Sequence, residues 1–85
     1  MKAKILVVED DVRLRNVLLE ALSLEGHDLD SAKSAEEAIE KVEKQKFDVV
    51  LTDVNLPGKS GLDLLPVCRQ HMPDCYLMVM TGYKP

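Results

Sequence analysis

Phe47-Asp48-Val49-Val50-Leu51-Thr52 is followed directly by Asp53. A short run rich in β-branched and aliphatic residues is typical of a strand that is buried on both faces of a parallel sheet. Ile5-Leu6-Val7-Val8 has the same character, and the acidic run Glu9-Asp10-Asp11 follows it at once. The sequence therefore predicts two central strands, each of which ends on acidic residues.

The rest of the chain alternates helical and extended patterns around these strands. The predicted elements are a helix over Val12–Leu24 closed by Gly26, a polar edge strand at His27–Ala32, a helix behind the capping box Ser34–Glu37, a helix over Leu62–Met72 and a third buried strand at Tyr76–Met80. This alternation predicts an α/β fold with a doubly wound parallel sheet and helices on both faces. With 85 residues in all, residues 1–85 are interpreted as a single domain.

The first predicted helix carries a stripe of apolar residues at helical spacing, of the kind that normally faces a core. The stripe consists of Leu14, Val17, Leu18, Ala21 and Leu22.

Polar residues follow three of the predicted strands, at the edge where parallel α/β sheets bind ligands. Glu9, Asp10 and Asp53 follow the two central strands, and Thr81 follows the last one. Three carboxylates ~5 Å apart repel one another by roughly 3 kcal/mol per pair at an effective dielectric constant of ~20. Such a cluster needs a counter-ion, and all-oxygen ligands favour Mg²⁺. Alternatively, Asp10 or Asp11 caps the helix that begins at Val12.

Charge and composition exclude several classes of function. The chain has 11 basic and 15 acidic residues, a net charge of −4, and no basic stripe, so direct contact with nucleic acid is not expected. Its longest uncharged stretch is too short to span a bilayer, and no export signal is recognisable, which favours a cytoplasmic location. Cys68 and Cys75 have no metal-binding spacing and are interpreted as reduced thiols.

A family resemblance rests on three segments, which are Lys4–Asp11, Phe47–Gly58 followed by Gly61, and Met80-Thr81-Gly82. In order and spacing they resemble the receiver domain of two-component response regulators over essentially the whole chain. The resemblance implies a flavodoxin-like receiver fold and a histidine kinase as the partner that supplies a phosphoryl group. The segment Met80–Tyr83 is most similar to receivers attached to transcriptional activators.

The resemblance also implies a role for each residue at the acidic edge. By this resemblance Asp53 is the phosphoacceptor and ligates Mg²⁺ together with Asp10. Glu9 acts on the metal through a water molecule, and Asn55 offers it a main-chain carbonyl. Thr81 is the switch hydroxyl, and Asp11 caps a helix. A domain of this kind takes part in its own phosphorylation and dephosphorylation. It is a phosphoacceptor module, not an enzyme.

The chain departs from the family pattern after its fourth strand. It lacks the family's fourth helix, fifth strand and fifth helix, and is therefore interpreted as a truncated receiver. Lys84-Pro85 resembles the pair that ends the family's fifth strand, and whether Lys84 stands in for that lysine stays open. The fourth strand, left as an apolar edge, favours a homodimer or a swapped assembly.

Three functions follow from these patterns. The first is Mg²⁺-dependent acceptance of phosphate on Asp53. The second is an incompetent receiver fragment that dimerises or binds a protein, which the absent lysine strand favours and the intact acidic cluster opposes. The third is a hydrolase of the haloacid dehalogenase type, which is disfavoured because Asn55 stands where that chemistry needs a general acid.

Overall fold

The computed structural model describes residues 2–80. In chain order these form β1 (Lys4–Val8), α1 (Val12–Leu24), β2 (Asp28–Ala32), α2 (Ala35–Lys44), β3 (Val49–Asp53), a 3-10 helix (Gly61–Asp63), α3 (Leu64–His71) and β4 (Tyr76–Met80). Within this range, no helix combines the length and apolarity that crossing a bilayer requires.

The four strands form one parallel sheet in the order β2-β1-β3-β4. The chain steps outward from β1 to β2, returns across β1 to β3, and continues to β4. Because connections between parallel strands are right-handed, this reversal puts α1 on one face of the sheet and α2 and α3 on the other. The prediction of a doubly wound parallel sheet is confirmed, and the reversal lies between β1 and β3.

The main core lies between the sheet and the α2–α3 layer. It contains Leu6, Val8, Ala32, Ala35, Ala38, Val42, Phe47, Val50, Leu56, Leu64, Cys68 and Met72. Alternate residues of β1 point to opposite faces, so Leu6 and Val8 enter this core while Ile5 and Val7 face α1. All four are buried, which makes β1 the two-sided central strand that its sequence predicts.

The structure corrects one expectation about apolar surface and settles another that the local pattern left open. The stripe on α1 is not part of a closed core, because that helix has no buried residue and Val17 is 62% exposed. The run Tyr76–Met80 has the pattern of a buried strand, yet it forms the apolar edge expected for the fourth strand, with Tyr76 75% and Met78 54% exposed. Among the described strands β4 pairs only with β3, and an apolar run by itself does not reveal how many neighbours a strand has.

Helix ends follow the sequence closely, with one addition. Gly26 has a φ of 83°, as a glycine that closes α1 requires, and Ser34 Oγ accepts the N–H of Glu37 at the start of α2. The third helix starts earlier than predicted, as a 3-10 turn. A reciprocal capping box between Ser60 and Asp63 begins that turn.

Candidate metal and phosphoacceptor site

The register of the two central strands brings the predicted acids together. Val8 pairs with Thr52 across β1 and β3, so the next residue on each strand, Glu9 and Asp53, lies at the same edge of the sheet. Carboxylate oxygens of Glu9, Asp10 and Asp53 all lie within 4.8 Å of one another. The site therefore occupies the crevice where the strand order reverses, which is the usual ligand position in this architecture.

The donor set fits a hard divalent cation. Glu9 is completely buried, Asp53 is 3% exposed, and Asp10 is half-buried. Three like charges this close repel one another by about 3 kcal/mol per pair at an effective dielectric constant of 20, and a cation between them reverses the sign of that energy. Oxygen ligands with an open side toward solvent suit Mg²⁺, which keeps part of its water shell.

Main-chain N–H groups orient two of the carboxylates. Glu9 Oε2 accepts the N–H of Asp11 at 3.0 Å, and Asp53 Oδ1 accepts the N–H of Asn55 at 3.0 Å. In both pairs the donor lies two residues after the acid, so each acid is held by the turn that follows its own strand. The side chain of Asn55 is exposed.

Asp11 is a helix cap, as predicted. Its Oδ1 accepts the N–H of Arg13 at 2.9 Å and the N–H of Leu14 at 3.2 Å, which satisfies two of the donors left open at the start of α1. Of the two acids that could have capped α1, Asp11 caps it and Asp10 joins the carboxylate cluster.

Arg15 is a site residue that was not predicted from the sequence. Its Nη1 donates to the main-chain carbonyl oxygen of Glu9 at 2.9 Å, bridging the first turn of α1 to the end of β1. The sequence offered one signal for Arg15: it lies four residues after the helix cap Asp11, which places the two residues one turn apart on the same face of the helix. The contact sets a cation beside the acidic turn and holds its main chain.

The loop after β3 is anchored on both sides of the site. Leu56 enters the core, and the Gly61 N–H donates to the Val54 carbonyl oxygen at 3.0 Å. The Val54 N–H in turn donates to the Met80 carbonyl oxygen at 3.1 Å, which joins the ends of β3 and β4. Thr81 and Lys84, two residues singled out from the sequence, lie outside the described residues.

Comparison with known proteins agrees with this geometry. A family model described as the response regulator receiver domain matches residues 5–85. Over 83 residues the chain is 41% identical to the response regulator protein FleR of Pseudomonas aeruginosa, covering 98% of this chain and 18% of FleR. Over 82 residues it is 41% identical to the transcriptional regulatory protein KdpE of Staphylococcus aureus, covering 96% of this chain and 35% of KdpE. The chain thus spans about a fifth to a third of these curated relatives.

Solved structures give the same result. The response regulator protein TrrA of Thermotoga maritima, in complex with Mg²⁺-BeF, superposes with a TM-score of 0.88 at 37% identity, covering 99% of this chain and 72% of TrrA. TrrA in complex with the histidine kinase ThkA superposes with a TM-score of 0.85 at 36% identity, covering all of this chain and again 72% of TrrA. From its fold, its acidic edge and these matches, the chain belongs to the response regulator receiver domain family of two-component systems.

Proposed function

We propose that this chain accepts a phosphoryl group from a histidine kinase on Asp53, with Mg²⁺ held by Asp10, Asp53, the main-chain carbonyl of Asn55 and, through a water molecule, Glu9. The observation that carries the proposal is the triad of carboxylates within 4.8 Å at the end of two adjacent central strands. Two findings on relatives support it, since TrrA is described in complex with Mg²⁺-BeF and with a histidine kinase.

The transfer is a nucleophilic substitution at phosphorus. A carboxylate oxygen of Asp53 forms a bond to the phosphorus, the bond to the donor's imidazole nitrogen breaks, and the electron pair of that bond stays on the imidazole. Mg²⁺, when bound, offsets the charge that builds up between the carboxylates and the incoming phosphoryl oxygens. The hydrogen bond from the Asn55 N–H orients the Asp53 carboxylate. Asp53 is the last residue of β3, which places this carboxylate at the edge of the sheet.

The product is an acyl phosphate, which water hydrolyses to restore Asp53. The chain is consumed and regenerated in this cycle, so it acts as a phosphoacceptor module and not as an enzyme with a separate substrate. The proposed switch hydroxyl, Thr81, follows β4, whose end is tied to β3 through the Val54–Met80 hydrogen bond. This hydrogen bond supports a structural connection by which phosphorylation of Asp53 affects the segment after β4.

The test is intact-mass spectrometry after incubation with Mg²⁺ and acetyl phosphate. We expect one added phosphate on the parent chain, none on Asp53→Asn, and none on either chain in EDTA. Circular dichroism of both chains establishes that they are folded. A folded parent chain that takes no phosphate, or an Asp53→Asn chain that takes as much as the parent, contradicts the proposal. A purified histidine kinase then replaces acetyl phosphate as donor.

The wider role is also a proposal. KdpE is named a transcriptional regulatory protein, which supports a place for this chain as the receiver part of a cytoplasmic transcriptional regulator. The net charge of −4 makes direct binding of DNA by residues 1–85, the receiver domain, unfavourable, so we propose that another domain of the regulator contacts DNA. The output could be tested by footprinting the whole regulator on DNA before and after phosphorylation.

A second function, self-association, is favoured by the contrast between the two sheet edges. Edge strand β2 carries Asp28 and Asp30, each paired with a lysine, and such charges discourage strand pairing. Among the described strands β4 forms the other edge, and it has no charged residue and is apolar on both faces. We propose that β4 pairs with β4 of a second copy, directly or by a swap, giving a homodimer. Light scattering tests this, and a monomer mass that stays constant with concentration contradicts it.

A further inference from the structure

We propose that Gly61 is a positioning residue for the phosphoacceptor, because only a residue without a side chain lets the 3-10 helix rest against the main chain of Asp53. A Cβ atom built on Gly61 overlaps the Asp53 carbonyl oxygen and lies 2.8 Å from Thr52 Oγ1 and 2.9 Å from the Asp53 carbonyl carbon. Real Cβ atoms do not approach heavy atoms closer than about 3.0 Å.

The requirement at Gly61 is one of space and not of backbone dihedral angle. Among the described glycines, positive φ angles occur at Gly26 and Gly58. At Gly58 a Cβ would meet only the end of a flexible side chain, Glu36 Oε2, at 3.3 Å. At Gly61 the obstructing atoms belong to a backbone and a buried side chain of the central strand β3, which cannot yield without moving the site.

Three further contacts make the Asp53 peptide part of a rigid unit with Gly61. The Thr52 hydroxyl donates to the Asp53 carbonyl oxygen at 3.1 Å, on the same side as Gly61. The Gly61 N–H donates to the carbonyl oxygen of Val54, and the N–H of Val54 donates to Met80. The two peptide units that follow Asp53 are therefore fixed, which restricts the direction in which its carboxylate leaves the strand.

A methyl group at position 61 forces one of two movements. Either the 3-10 helix withdraws and the Gly61–Val54 hydrogen bond breaks, or the Asp53 peptide rotates and carries the carboxylate away from Glu9 and Asp10. Both loosen the Asn55 turn that orients Asp53 Oδ1. Displacing a reacting group by about 1 Å costs on the order of 100-fold in rate, and residues that orient metal ligands change affinity by roughly 10- to 100-fold.

The experiment compares Gly61→Ala with Gly26→Ala. Gly26 has a φ of 83°, nothing lies within 4 Å of a Cβ built there, and it precedes β2 at the opposite end of the sheet from Asp53. Alanine at position 26 strains the backbone and lowers stability without contacting the site, so it is the control for destabilisation alone.

Two readouts are used: the first depends on the position of the Asn55 amide and on Mg²⁺ binding, and only the second also depends on the proposed phosphorylation of Asp53. The first is the NMR spectrum of each chain with a Mg²⁺ titration, followed at the Asn55 amide. We expect Gly61→Ala to shift that amide and to weaken Mg²⁺ binding by roughly 10-fold or more, and Gly26→Ala to change binding less than about 2-fold. The second is the rate of phosphorylation by acetyl phosphate at saturating Mg²⁺, expected to fall by roughly 10- to 100-fold in Gly61→Ala alone.

The outcomes separate the two proposals. If the parent chain binds Mg²⁺ but takes no phosphate, the proposed function fails while the Asn55 amide and the Mg²⁺ affinity still decide the role of Gly61. Equal Mg²⁺ affinity and an unshifted Asn55 amide in Gly61→Ala overturn the positioning role. If Gly61→Ala does not fold, Thr52→Val takes its place, because it removes the hydroxyl bond to the Asp53 carbonyl without adding a heavy atom. Thr52→Val frees the same Asp53 peptide against which Gly61 packs. An unchanged Asn55 amide and unchanged Mg²⁺ binding in this variant show that fixing this peptide does not position the carboxylate, which overturns the proposal.

Discussion

The Lys41 ammonium nitrogen lies 2.7 Å from Asp30 Oδ1, a contact that ties α2 to the edge strand β2. The same nitrogen donates to the Ser31 carbonyl oxygen at 2.6 Å, and Gln45 donates to the other oxygen of Asp30 at 3.2 Å. The position of α2 above the sheet is thus secured by a polar contact at the margin of the apolar core. This contact makes stability depend on pH in a predictable direction.

Burial acts to raise the pKa of Asp30, but hydrogen bonds from Lys41 and the Ser31 N–H outweigh it and hold that pKa below the ordinary value of 3.8. A carboxylate with a lowered pKa in the folded state adds stability above the unfolded pKa and loses it as pH falls through the folded one. We expect Asp30→Asn to lower the free energy of unfolding by about 1 kcal/mol at pH 7. Urea titrations of both chains should show that difference shrinking below pH 3.8, whereas a constant difference would contradict this assignment.

The acidic cluster makes Asp53→Asn a stabilising change when no metal is present. It removes one of three mutually repelling carboxylates but keeps an oxygen that can accept the Asn55 N–H. We expect the free energy of unfolding in EDTA to rise on the order of 1–3 kcal/mol. We also expect the added stability in Mg²⁺ to be largest for the parent chain. Urea denaturation in EDTA and in Mg²⁺ measures both, and a variant less stable than the parent in EDTA would refute the repulsion argument.

The bond from Arg15 to the Glu9 carbonyl predicts a weaker metal site when it is removed. Loss of a positive charge near the site should by itself raise Mg²⁺ affinity, so a fall in affinity reports the lost anchoring of the Glu9–Asp10 turn. We expect Arg15→Ala to weaken Mg²⁺ binding several-fold, at the lower end of the roughly 10- to 100-fold range for residues that orient ligands. Arg13→Ala is the matched control, since Arg13 is an exposed arginine of the same helix turn. Equal affinities in the two variants would assign Arg15 no anchoring role.

The cap at Asp11 predicts a change in stability that leaves chemistry intact. Asp11→Ala removes the acceptor for two N–H groups of α1 and should lower the free energy of unfolding by about 1 kcal/mol, while Asp11→Ser should recover most of it. The rate of Asp53 phosphorylation at saturating Mg²⁺ is expected to stay within about 2-fold of the parent rate, because the Asp11 side chain contacts N–H groups of α1. A 2-fold change corresponds to only ~0.4 kcal/mol in activation free energy. A large loss of phosphorylation in the folded Asp11→Ser chain would show that Asp11 belongs to the metal site.

Much of this fold follows from local patterns. The run Ile5–Val8 predicts its own burial, Asp11 its capping role, and Gly26 the end of the first helix, because each depends on neighbours a few residues away. The meeting of Glu9, Asp10 and Asp53 was also predictable, since the ends of parallel strands share one edge of the sheet.

Tertiary structure decided what depends on elements far apart in the chain. Whether the run Tyr76–Met80 is covered depends on which strands and helices flank it, and the structure shows an exposed edge where the apolar pattern alone is typical of a buried strand. The bond from Arg15 to Glu9 and the close fit of Gly61 against Asp53 arise only when separate elements pack together. Residue order alone therefore determined which carboxylates reach the site, and packing determined how they are held, because distances between elements are set by the whole fold and not by local spacing.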